Sequence, residues 1–283
     1  MTMDWRKVDM KGIYKRPEVK QITKEWVYNN CNNITERDMG LLRLLADKRV
    51  LKRDQIQRLY PEFASTERLN NRLKILFNKH VIDRVVPPVP LGQGSAQQHI
   101  CIDRAGIILL DMERYSKPIK YDSSGQRILV DGFHHRVAIN ECECLIQEIL
   151  RELGGEMIYY ETEEKCHFND SYIKPDIVCI FKCKGKGYGF CIEVDMGTER
   201  LPIIKNKIDN YKDYYVSKQW AKKEWARVFK NPTFPRVLLL TRNGFTKRVN
   251  EMRNYTHGSM VRFLSGTHED FTNIINSILK GSL

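Results

Sequence analysis

The sequence predicts a two-domain α/β protein: a helical head carrying a β-hairpin, then a mixed sheet flanked by helices. Three observations point this way. A chain of 283 residues with 42 % apolar content can bury two cores. The hydrophobic pattern changes near residue 120, from short amphipathic helices to apolar strand runs such as "PDIVCIF" and "FPRVLLL". A polar stretch, "KPIKYDSSGQRILVDG", lies between the two patterns. The expected divisions are an N-terminal arm at 1–34, a first domain at 35–120 and a second at 130–283.

The arm opens with the polar "MTMDWRKVDMKGIYKRPEVK", which lacks the apolar core of a signal peptide and reads as having little structure of its own. Thr35 suits an N-cap ahead of Met39, Leu41, Leu42, Leu44 and Leu45. A second helix, "LKRDQIQRLYP", is stopped by Pro61. Ser65 caps a third, whose Leu69, Leu73, Leu76 and Phe77 share one face. "VIDRVVPPVPLGQGSAQQHICID" reads as two strands around a Pro/Gly/Ser/Gln tip, and "RAGIILLDMERY" as a further helix. Three short helices with a two-stranded tip make a winged helix-turn-helix, whose third helix enters the major groove of duplex DNA. Arg68, Arg72 and Lys74 suit phosphate or guanine there, and Asn70 or Asn71 suits adenine. The same shape also serves as a protein–protein module, and that alternative stays open.

In the second domain, "FHHRVAINECECLIQEILRELGG" is a helix closed by Gly154. "EMIYYE", "YIKPDIVCIFKCKG" and "KGYGFCIEVDMG" are strands, the last two paired across a Lys/Gly turn. "LPIIKNKIDNYKDYYVSKQW" is a helix with Pro202 in its first turn. "FPRVLLLTR" is a buried strand, followed by helix-like "GFTKRVNEMRNYT" and the short strand "MVRFL". Helices on a mixed sheet follow from this order.

The net charge of +12 favours a polyanionic partner, most often nucleic acid. Between Thr35 and His80 there are 11 Lys/Arg against 6 Asp/Glu. No apolar run is long enough to span a bilayer, and no long basic amphipathic helix suggests a membrane surface. Eight cysteines, mostly within apolar runs and without a CxxC pair, read as reduced core residues of a cytoplasmic protein rather than disulfides or zinc ligands. No GxSxG and no GxxxxGK[ST] occurs, which argues against serine hydrolysis and ATP use. No cluster of metal-binding histidines of the relaxase type is visible, and His134 and His135 read as residues that open a helix.

Chemistry concentrates where strands end. Asp176 follows Pro175 at the start of one strand, and Glu193 stands near the end of its hairpin partner. Antiparallel pairing can bring the two side by side, as joint oxygen ligands for a hard divalent ion. Such an ion activates water and neutralises phosphodiester charge, while a nearby Lys stabilises the charge of attack. The plain alternative is a pair of strand-end acids bonded to lysines. Asp195 either extends the metal shell or caps the next turn. Lys207 and Tyr211, at i and i+4, share a helix face that either lines the site or meets DNA backbone.

"PD" at 175–176 and "EVD" at 193–195 resemble the PD-(D/E)xK, or restriction-endonuclease-like, fold. That family carries Lys two residues after the acid, where this chain has Asp195; some members supply it from the next helix, for which Lys205 and Lys207 are the candidates. The resemblance implies a catalytic set of Asp176, Glu193, Asp195, Lys205 and Lys207, with Asp176 and Glu193 holding Mg²⁺ or Mn²⁺. Over residues 35–240 the chain is also similar to the replication-relaxation proteins of bacterial plasmids and other mobile elements. The carrying features are the winged-helix text at 35–115, "FHHRVAINE", "KPDIV", and "IEVDMGTE" followed by "KIDNY". This implies double-stranded DNA as partner, and other replication or relaxosome proteins, with a homodimer as a further option. Two functions stand: a DNA-binding factor of such an element whose nuclease-like domain serves binding or assembly, and a Mg²⁺-dependent DNA endonuclease targeted by the winged helix.

Overall fold

The computed structural model describes residues 16–85, 98–117, 119, 133–228 and 231–281. The chain divides into two compact units, 1–140 and 141–283. The hairpin tip at 86–97 and nearly all of the expected linker lie outside the described residues.

The first unit contains α1 (Lys24–Asn30), α2 (Glu36–Lys48), β1 (Leu51–Lys52), α3 (Arg53–Leu59), α4 (Thr66–Asn78), β2 (Ile82–Val85), β3 (His99–Ile102) and α5 (Arg104–Met112). Within the described part of the arm, 16–34, the chain is more ordered than its polar text suggests. Thr23 caps α1 through the Trp26 amide at 3.1 Å, and Val27 and Cys31 join the core of this unit. Thr35 and Asp38 form a reciprocal capping box on α2. Leu51–Lys52, expected as the start of a helix, is instead a strand on β3, giving the antiparallel order β1-β3-β2. Burial explains this: Leu51 is fully enclosed with Leu41, Leu42, Leu45, Leu69, Leu73 and Ile100.

Helix α6 (Phe133–Leu153) holds the division between units, rather than following it. Its first residues are tied to the first unit. Asn140 Nδ2 donates to the Val50 carbonyl at 2.7 Å, Gln55 donates to that of Val137 at 3.1 Å, and Phe133 and Val137 pack with Val50 and Cys101.

The second unit contains β4 (Glu156–Thr162), β5 (Cys166–Phe168), β6 (Ser171–Ile173), β7 (Ile177–Cys183), β8 (Lys186–Asp195), α7 (Leu201–Ser217), β9 (Arg236–Thr241), α8 (Thr246–Thr256), β10 (Phe263–Thr267) and α9 (Phe271–Lys280). The sheet order is β10-β9-β8-β7-β4, antiparallel on the β4 side of β8 and parallel on the β10 side. The mixed sheet matches the expectation. The single strand expected at "YIKPDIVCIFKCKG" is two, β6 and β7, because Pro175 cannot donate to a ladder. "MVRFL" yields a strand starting at Phe263, and α9 was not expected. Lys184 and Gly185, both at positive φ, close the β7–β8 hairpin in two residues. That turn sets the register: Ile177 faces Ile192, so Asp176 falls opposite Glu193. Strand alternation then puts Asp176, Val178, Ile180, Cys191, Glu193 and Asp195 on one face of the sheet. Val178, Ile180 and Cys191 pack there with Ile204, Ile208, Tyr211 and Tyr214 of α7 and Met252 of α8.

Candidate functional site: an acidic strand-end pair and an exposed helix

Asp176 and Glu193 are neighbours across the β7–β8 ladder, as their strand positions suggest. Asp176 Oδ2 accepts the Val194 amide at 2.8 Å, which ties its carboxylate to the backbone beside Glu193. The Glu193 carboxylate is buried. Its Oε1 accepts the Tyr211 hydroxyl at 2.7 Å, and its Oε2 lies 3.3 Å from Lys207 Nζ. Lys207 Nζ also reaches Glu199 Oε1 at 2.8 Å. Lys207 and Tyr211 stand one turn apart on α7, so one helix face delivers an ammonium and a phenol to the same carboxylate. Lys205, two residues earlier, lies on another side of α7 and is exposed, so it drops out as the lysine of this site.

An ion pair alone would hold a carboxylate low, yet Glu193 is pushed up to about 7. Burial is the largest cause, and the negative charge of Asp176 adds to it. Together they outweigh Lys207 and the Tyr211 hydroxyl. Burial works against the Lys207 ammonium too, but Glu193 and Glu199 dominate and raise it. The Lys207 ammonium is thus held in its charged form beside a carboxyl whose charged form burial disfavours.

Asp195 caps the turn, and both of its oxygens have protein partners. Its Oδ1 accepts the Gly197 amide at 3.0 Å and Arg248 Nη2 at 3.1 Å. Its Oδ2 accepts the Thr241 hydroxyl at 2.8 Å and pairs with Arg248 Nε. Arg248 also donates to the Glu199 carbonyl, clamping the loop that leads from β8 to α7. Glu199 and Arg248 were missed in the sequence. Arg248 stands in a segment with several cations and no motif, and nothing in its spacing singles it out.

In the first unit, α4 buries Leu69, Leu73, Leu76 and Phe77 and exposes Arg68, Asn70, Asn71 and Lys74 on the opposite arc. Arg72 does not belong with them. Its Nε donates to Asp38 Oδ1 at 2.7 Å, its Nη2 pairs with Asp38 Oδ2, and the same Nη2 donates to the Asn33 carbonyl at 2.8 Å. Asp38 is fully buried. Arg72 thus joins α4 to the start of α2 and is a structural residue. Burial raises the Asp38 carboxyl, but hydrogen bonds from Arg72 and Thr35 outweigh it and hold the group below its ordinary value. Gln57 of α3 donates to the Thr66 hydroxyl at 3.0 Å, fixing the start of α4.

Asp176 and Glu193 have the donor chemistry of a hard divalent ion, and Mg²⁺ commonly takes one or two carboxylates and completes its shell with water and phosphate. Among the described residues no group of three or more His, Cys, Asp or Glu side chains is arranged to hold a metal. Among the described residues, too, no helix is long and apolar enough to cross a membrane.

The sequence profile of the replication-relaxation family matches residues 42–227, about two thirds of the chain. Comparison with curated proteins finds no match. Among solved structures, the restriction endonuclease FokI is similar at 15 % identity and a TM-score of 0.30, over 89 % of this chain and 46 % of that one. The chain therefore spans under half the length of that enzyme.

Proposed function

The chain belongs to the replication-relaxation family, and from that premise we propose that it is a DNA-binding protein acting in the replication or mobilisation of a plasmid or other mobile element. The first unit is a winged helix-turn-helix, with α3 and α4 as its paired helices and β2 and β3 as the sides of its wing. The observation that carries this reading is the exposed arc of α4. Arg68 and Lys74 are free of the core to meet phosphates, and Asn70 and Asn71 present amides that suit adenine edges. Binding of labelled duplex to the full chain, followed by fluorescence anisotropy over a range of salt, tests it. Wild type should bind with a steep salt dependence, and Lys74→Ala should lower the slope by about 1. Equal binding and slope in Arg68→Ala, Asn71→Ala and Lys74→Ala would remove α4 from the interface.

A second reading is favoured by the convergence of Asp176, Glu193 and Lys207: metal-dependent cleavage of DNA by the second unit. Asp176 and Glu193 would hold Mg²⁺ or Mn²⁺, which supplies an activated water and neutralises phosphodiester charge when bound. Lys207, charged and beside Glu193, would stabilise the negative charge that grows on the attacked phosphate. Tyr211 orients Glu193 from the core side. Supercoiled plasmid incubated with either ion should be nicked by wild type and not by Asp176→Ala. Intact plasmid in both would leave the acidic pair as a binding or structural feature.

A further inference from the structure

The hairpin β5–β6 presents a surface that neither duplex reading by α4 nor the acidic site uses. Its inward side chains, Cys166, Phe168 and Ile173, are buried among Tyr214, Trp220 and Trp225. Its register pairs His167 with Tyr172, and strand alternation turns both outward. Their rings lie 5.7 Å apart between centroids, and Tyr172 is 46 % exposed. Lys165 Nζ stands 5.1 Å from the centre of the Tyr172 ring. The base of the hairpin is rigidly tied: Lys223 Nζ donates to Glu164 Oε1 at 2.7 Å and to the Lys165 carbonyl at 3.1 Å, and Tyr159 donates to Glu164 Oε2 at 3.1 Å. The 3-10 turn Gln219–Lys222 packs against β5, and its last residue, Lys222, is exposed.

An outward pair of rings on a braced hairpin, with lysines beside it, has the chemistry that takes unpaired bases. Every base offers a π-face to an aromatic side chain, and the phosphate backbone demands nearby positive charge. A paired duplex offers no free base face, so this surface discriminates for single strands. An acidic protein segment would satisfy the lysines but leave the exposed rings without a partner. We infer that the β5–β6 hairpin is a stacking platform for single-stranded DNA: Tyr172 and His167 carry a base, while Lys165 and Lys222 meet the flanking phosphates. The ammonium of Lys165 shifts from the ring to a phosphate as a base takes its place. This goes beyond the duplex-binding reading and does not depend on it.

The test is anisotropy of a fluorescein-labelled oligo-dT strand, and of an abasic strand of the same length, with the full chain. Wild type should bind oligo-dT more tightly than the abasic strand. Tyr172→Ala should weaken oligo-dT roughly 5- to 150-fold, the loss of one base stack, and leave affinity for the abasic strand unchanged. Tyr172→Phe should keep oligo-dT affinity, because stacking needs the ring and not the hydroxyl. Lys165→Ala should weaken both single strands. Failure of wild type to bind oligo-dT, equal affinity for the abasic strand, or wild-type affinity in Tyr172→Ala would each overturn the platform. So would losses confined to the lysine variants, which would leave a purely electrostatic patch open to an acidic partner. Should Tyr172→Ala misfold by circular dichroism, His167→Ala decides the same question through the second ring.

Discussion

Replacing Arg72 by Ala removes the cation that Asp38 faces from a fully buried position. Arg72 itself keeps only 14 % of its side chain exposed, so solvent screens the pair weakly. Breaking one partner out of a buried ion pair costs about 3–5 kcal/mol, because the remaining charge has no compensation. Thr35 still donates to Asp38, which places the expected loss toward the lower end of that range. Asp38→Ala loses the pair and the capping box together, adding about 1 kcal/mol for the cap. Hydrogen exchange resolves this locally, which matters in a chain of two units where a single melting transition is not assured. Amides of α2 and α4 should exchange through openings made easier by about 3 kcal/mol in Arg72→Ala, while those of β7–β9 keep wild-type protection. The depressed Asp38 carboxyl adds a pH signature. Its contribution is present above the ordinary carboxylate value near 3.8 and is lost as pH falls through the lower folded value. Asp38→Asn should therefore flatten the acid limb of first-unit stability. Wild-type protection of α2 and α4 in Arg72→Ala, combined with a salt slope for DNA lowered by about 1, would refute this reasoning and return Arg72 to the DNA-facing set.

Further outcomes are expected. Glu193 has a folded pKa raised to about 7, so its stabilising contribution is complete below about pH 4.5 and lost as pH rises through about 7; Glu193→Gln should remove that fall in stability, read as protection of β8 and α7 amides at two pH values. On the metal-dependent reading, Mg²⁺ binding measured by calorimetry should strengthen from pH 6 to pH 8 and release protons, and a flat affinity or no binding would separate Glu193 from the ion. Arg248→Ala should destabilise the second unit by about 3 kcal/mol, toward the lower end for a broken buried pair because Gly197 and Thr241 still donate to Asp195, and Asp195→Asn in the same chain should recover part of the loss, read as hydrogen-exchange protection of β8 and β9 amides. Lys207→Ala should abolish plasmid nicking where wild type nicks, whereas Lys205→Ala should retain it.

The sequence by itself determined most of the local architecture. Thr35 and Ser65 announce their helices because a side-chain oxygen before an apolar period satisfies orphan amides without help from elsewhere. Gly185 enters positive φ at no steric cost, and once that turn closes in two residues the pairing of Asp176 with Glu193 follows. Tertiary structure decided what each charge does. Arg72 and Lys74 are two residues apart on one helix and look alike in the text, but a buried carboxylate 34 positions away captures the first and leaves the second to solvent. Asp195 is open in the text between a metal ligand and a turn cap, and its partners Thr241 and Arg248 come from elements far along the chain. Lys205 and Lys207 differ only in which side of α7 meets the sheet, and that side is chosen by the packing of Ile204, Ile208 and Tyr211. Caps and turns arise from contacts within a few residues, so they can be read along the chain. A charge takes its role from partners far away in sequence, and only the folded packing brings those partners to it.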